Sequence, residues 1–165
     1  MDRDDWKTAL IGIAAGLVAS AAMELAQQAL AKLTESDDHS SDDSQESEPA
    51  TAKAARAAAG AAGYELGDDQ AQTGGRLVHY ATGTALGLFY ALAADREPRI
   101  ASAAGLPLAL GTMVLLDEVA VPATGLGDPP TKAPPSSHLF SLASHLVFGL
   151  AAEGVRRVLG GRSPG

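Results

Sequence analysis

The sequence predicts an all-α fold: a four-helix transmembrane bundle with a long, partly disordered acidic loop between helices 1 and 2. Three observations carry this expectation. Four segments are apolar around their whole circumference and lack the regular charged face of a helix in water. The charges are bunched, since residues 34–49, TESDDHSSDDSQESEP, hold seven of the twenty acidic residues. Basic residues concentrate on one side of the four segments. The averages, 46% apolar residues and a mean hydropathy of +0.05, would also suit an Ala-rich soluble bundle. Bunching of charge is what those averages conceal.

The first span, about residues 8–32, has Glu24 as its only charge before Lys32. As a helix it is about 36 Å long, enough to cross a hydrocarbon core of roughly 30 Å. A signal peptide cut near Ala19, Ser20 and Ala21 is the competing reading. The leading MDRDDWK has three acids against two bases, whereas a secretory leader starts positive. A retained helix is therefore expected, with Trp6 as an interfacial anchor. Residues 34–49 are too polar to bury a core and are expected to be disordered, as a solvated spacer or a cation-collecting tail. Residues 50–62 are strong helix formers behind Pro49 and predict a short extramembrane helix. Its Lys53 and Arg56 could face anionic headgroups, or the helix could pack on the bundle.

The second span, about 77–94, carries only His79, and the third, about 100–121, is uncharged until Asp117. Pro107 is expected to kink the third. The fourth, about 137–158, is punctuated by His138, His145 and Glu153 and ends at Arg156 and Arg157. Pro129, Pro130, Pro134 and Pro135 make the connection before it a stiff extended loop.

All 165 residues fit one integral membrane domain. With four spans, Arg3, Lys7, Arg96, Arg99, Arg156, Arg157 and Arg162 share one side. Lys32, Lys53, Arg56, Arg76 and Lys132 are spread over a longer stretch on the other. The positive-inside rule then places both termini in the cytoplasm and the acidic loop outside. A net charge of −8 excludes a basic stripe for nucleic acid. With no cysteine, disulfides and thiolate metal sites are excluded as well.

Gly12 and Gly16, and again Gly83 and Gly87, are spaced so that small residues share one helical face. Such faces let backbones approach where lipid supplies no hydrophobic drive. Packing within the chain is expected, with a homo-oligomer interface as the alternative. An ionisable residue inside a membrane is by default a candidate functional site. Glu24, His79, Asp117, Glu118, His138 and His145 all fall in the expected outer half. His138, Ser141, His145 and Gly149 lie on one face. Glu118 and His145 are the pair expected to couple. Glu153 pairs locally with Arg156 and Arg157, three and four residues on, and is expected to anchor the cytoplasmic boundary.

HYATGTALGLFYAL, from His79 to Leu92, resembles the HYxxGxxxGxxY segment of the YagU-like family of small bacterial inner-membrane proteins. LLDEVAVPATGLGDPP, followed by HLFSLASHLVFGLAAEGVRR, resembles the same family. The likeness covers roughly residues 77–158, with a weaker match in the first helix, and the acidic stretch has no counterpart. It implies a four-helix protein of the cytoplasmic membrane, and no reaction, substrate or cofactor. The positions that carry it are His79, Tyr80, Gly83, Gly87, Asp117, Glu118, Pro122, Gly125, Pro129, His138 and His145.

Three functions compete on the residues alone. One is a buried His/carboxylate site handling protons or a cation, because histidine titrates near neutral pH and a carboxylate in low dielectric couples to it. The second is a structural or interaction protein whose polar groups satisfy one another. The third is a metal site or metal-dependent hydrolase, with His79, Glu118 and His145 as ligand candidates. Against the third, H-E-x-x-H and E-x-x-H spacings are absent. Nucleophile-elbow, Walker and dinucleotide signatures are absent too, so the sequence leans away from an enzyme.

Overall fold

The computed structural model describes residues 5–35 and 48–160. Most of the acidic stretch expected to be disordered, residues 36–47, lies outside these. Every regular element among the described residues is helical: α1 (Asp5–Glu35), α2 (Ala50–Ala61), α3 (Asp68–Arg96), α4 (Leu106–Thr112), a π-helical segment (Met113–Ala120), α5 (Val121–Ala123) and α6 (Pro135–Val158). Two 3₁₀ turns, Pro98–Ala101 and Ala103–Gly105, lead into α4. Among the described residues, four helical stretches are long and apolar enough to cross a membrane: Asp5–Lys32, Asp68–Arg96, Ala103–Ala123 and Pro135–Val158.

α3 begins nine residues before the apolar run at residue 77. Asp68 and Asp69 occupy its first turn, where carboxylates favour the positive end of the helix dipole. The Gly67 amide donates to the Gln70 side chain at 3.0 Å, satisfying a backbone donor that the helix leaves unpaired. Arg76, expected in the outer loop, is therefore inside the helix.

The third stretch departs furthest from expectation. Pro107 lies in the first turn of α4, where its missing N–H is no loss, and it does not kink a continuous helix. The break lies just upstream, where Ala103 (φ 50°), Ala104 (φ 55°) and Gly105 (φ 89°) are all left-handed. Gly105 is required there twice over. Besides its φ, a Cβ would come within 2.8 Å of the Gly149 carbonyl carbon on α6.

α1 is the central helix, packed on α3 and α6, while α4 packs on α6. Gly12 and Gly16 meet Gly87 and Gly83 across the α1–α3 contact, with a Cβ at Gly12 falling 2.7 Å from the Gly87 carbonyl. Asp5 lies 3.9 Å from Arg96, and Arg157 donates to the Ala101 carbonyl at 3.4 Å. The start of α1, the α3–α4 turn and the end of α6 thus share one end of the bundle. α2 packs on the first turns of α3 at the other, with Ala52 and Ala55 seated on Gly75 and Gly74. Arg56 fixes it there through Glu48 at 2.7 Å, Asp68 at 2.6 Å and the Leu66 carbonyl. Those two carboxylates hold the Arg56 guanidinium above its ordinary range.

Side-chain partition is the reverse of a soluble core. The buried positions are mainly small or polar, among them Ala15, Ala19, Ser20, Ala91, Ala94, Ser144 and Ala152. Leu10, Leu17, Leu25, Phe89, Val114, Leu115, Val119, Leu139 and Leu150 face outward and are exposed.

Candidate functional site

A cavity of about 1320 Å³ opens beside α2 and runs inward to Leu86, Thr112 and Phe148. It exists because the π segment rests on α6 while α1 and α3 form the opposite wall. Four of the six ionisable residues singled out from the sequence line it: Glu24, His79, Asp117 and His145. His138 and Glu118 pair behind it.

On the α1–α3 wall, Glu24 accepts from Arg76 at 2.5 and 3.0 Å and from the Tyr80 hydroxyl at 2.9 Å. Gln28, one turn along α1, adds a 3.4 Å contact. Arg76 and Tyr80 reach one carboxylate because they are four residues apart on α3. Sequence reasoning left Arg76 in the loop and so missed the counter-ion of Glu24. His79 turns the other way and donates from Nε2 to the Ser20 carbonyl at 3.2 Å, packed edge-on to the Tyr80 ring.

Opposite, the expected coupling of Glu118 with His145 is replaced by two separate pairs. His145 Nδ1 lies 3.6 Å from Asp117, and His138 Nδ1 lies 2.8 Å from Glu118. The chain direction explains the exchange. The π segment and α6 run antiparallel, so the earlier carboxylate meets the later histidine. His138 and His145 are two turns apart, about 10 Å, too far for one carboxylate to bridge.

The two pairs differ chemically. His138 Nε2 faces the Pro130 carbonyl at 3.1 Å; a carbonyl only accepts, so Nε2 carries a hydrogen. One proton is then shared between His138 Nδ1 and Glu118, and both partners are satisfied. His145 Nδ1 donates to the Ser141 carbonyl at 3.0 Å, and the Ser141 hydroxyl donates to Asp117. Among the described residues, Asp117 is left facing the cavity with only a hydroxyl and an imidazole beside it. A π-helical turn, which often marks a functional position, presents it there.

Across the described residues, no group of three or more His, Asp and Glu is gathered for a metal ion. His79, Glu118 and His145, the sequence-derived ligand candidates, belong to three different hydrogen-bonded sets.

At the opposite end, Glu153 does pair with Arg156 (2.7 Å) and Arg157 (2.5 Å). Glu153 and Arg156 are enclosed within the bundle, 1% and 2% exposed, while Arg157 reaches its surface. The Tyr90 hydroxyl donates to Glu153 at 2.8 Å, and the Arg156 guanidinium lies 6.0 Å from the Tyr90 ring. Sequence reasoning gave Tyr90 no role, although it is the last tyrosine of the HYxxGxxxGxxY pattern. With the Gly105–Gly149 contact, this cluster closes the end of the bundle remote from the cavity. Compared with protein-family models, with curated proteins and with solved structures, the chain matches none.

Proposed function

We propose that this chain is a multi-pass protein of the cytoplasmic membrane, with both termini in the cytoplasm, and that its outer-half cavity handles protons or a cation through Asp117 and His145. One observation carries the membrane part: the large apolar side chains face outward while alanine, serine and an ion pair fill the interior. In water that partition would forfeit the hydrophobic drive, whereas in lipid small interior residues allow close helix packing. Lys7, Arg96, Arg99 and Arg157, at the end where α1 starts and α6 finishes, support this orientation. The resemblance to the YagU-like family points the same way.

Support for the site comes from Asp117 and His145, which line a large cavity, whereas Glu118 and His138 satisfy each other. A structural role is the second reading, favoured by the closed Glu24–Arg76–Tyr80 and Glu118–His138 sets. A polar lock, however, has no need of an open cavity. The test is flux in proteoliposomes with an imposed proton or potassium gradient. Wild-type protein is expected to dissipate one of them faster than empty liposomes, and Asp117→Asn to lose at least tenfold of that rate while Glu118→Gln retains most of it. No flux above empty liposomes would leave the structural role as the better account.

A further inference from the structure

Much of the cavity wall is apolar. Met23, Leu86, Leu116, Phe140 and Phe148 contribute to it, and such a wall favours a ligand that buries apolar surface over a bare inorganic ion. The volume of about 1320 Å³ exceeds what a hydrated ion needs and matches or exceeds a pocket for a drug-sized molecule. Charge decides the rest. Four carboxylates line the cavity: Glu24, Glu48, Asp68 and Asp117. Glu24 is bonded to Arg76, and Glu48 and Asp68 share Arg56. Asp117 alone has no arginine or lysine partner among the described residues. Two arginines against four carboxylates leave the cavity acidic, which concentrates cations and repels anions.

We infer that the ligand of this cavity is an organic monocation with a bulky apolar or aromatic body, its charge set against Asp117 and its body against Phe140 and Leu116. The inference rests on the cation-handling reading above and names the class of cation. Aromatic faces contribute twice, by burying apolar surface and by attracting positive charge. Ser141 holds Asp117 by a hydrogen bond to one carboxylate oxygen and leaves the other for the ligand. Arg76 stays on Glu24, so no free guanidinium competes for the carboxylate.

Binding of tetraphenylphosphonium to the full chain in lipid nanodiscs is the test, with tetraphenylborate as the anion of the same shape and with sodium, potassium and magnesium chlorides alongside. Saturable binding of the phosphonium is expected, at least tenfold weaker in Asp117→Asn and unchanged in Glu118→Gln, with no saturable binding of the borate. If Asp117→Asn does not fold, Ala120→Phe serves instead. It narrows the cavity without touching a carboxylate and should weaken the phosphonium by a similar factor. Equal binding to wild type and both variants, or borate binding as tight as phosphonium, overturns the inference. Asp117-dependent binding of an inorganic cation with none of the phosphonium overturns the ligand class and leaves the cation-handling function standing. Absence of any binding overturns the ligand class, and proteoliposome flux then decides the function separately.

Discussion

Glu153 and Arg156 are among the most enclosed side chains of the protein, and each satisfies the other. Removing one partner of such a pair strands a charge away from water, which costs about 3–5 kcal/mol. Glu153→Ala removes the carboxylate that Arg156 and Arg157 share and deprives Tyr90 of its acceptor. It is expected to lower stability by about that amount, measured by denaturant titration in bicelles. Arg76→Ala, at the cavity rim with its side chain 67% exposed, should produce a much smaller loss. Equal losses would mean that water reaches both ends of the bundle alike. The local part of the Glu153 cluster was legible in the sequence, because a three- and four-residue spacing brings Arg156 and Arg157 to the carboxylate. Its depth was not, since burial depends on where Tyr90 of α3 and the α3–α4 turn come to rest.

Helices reveal the same division between local and non-local information. All-round apolarity and helix propensity are properties of a segment, so the all-α class and the four long helices could be read from the chain. Bounds and breaks depend on competition with neighbours. α3 starts early because Gly67, Gln70 and two aspartates cap it, and α4 starts late because three left-handed residues precede Pro107. Two substitutions separate these effects. Gly87→Leu should drive α3 away from α1, where a Cβ would lie 2.5 Å from the Gly12 carbonyl, at a cost of about 1–3 kcal/mol or more. Pro107→Ala should change stability by less than about 1 kcal/mol, because a proline in the first turn forfeits no hydrogen bond. A large loss at Pro107, read in the same unfolding titration, would mean that it shapes a continuous helix after all.

For the whole molecule, the arrangement is asymmetric from end to end. Tight glycine contacts and the Glu153–Arg156–Tyr90 cluster close the end where α1 starts and α6 finishes, and a cavity rimmed by α2 opens at the other. The pairing of Asp117 with His145 was not legible in the sequence, because it depends on the antiparallel register of the π segment against α6. The identity of the polar residues was legible, because each interrupts an apolar run. All of this has meaning only if the apolar exterior lies in lipid with the cavity facing outward. Single-cysteine labelling tests that claim most directly, and the chain has no cysteine of its own. An impermeant maleimide applied to intact cells should modify Ala62→Cys, beyond α2, and fail at Glu97→Cys in the α3–α4 turn until the cells are permeabilised. Labelling of Glu97→Cys alone would invert the orientation, and recovery of the protein in the soluble fraction would contradict the membrane account.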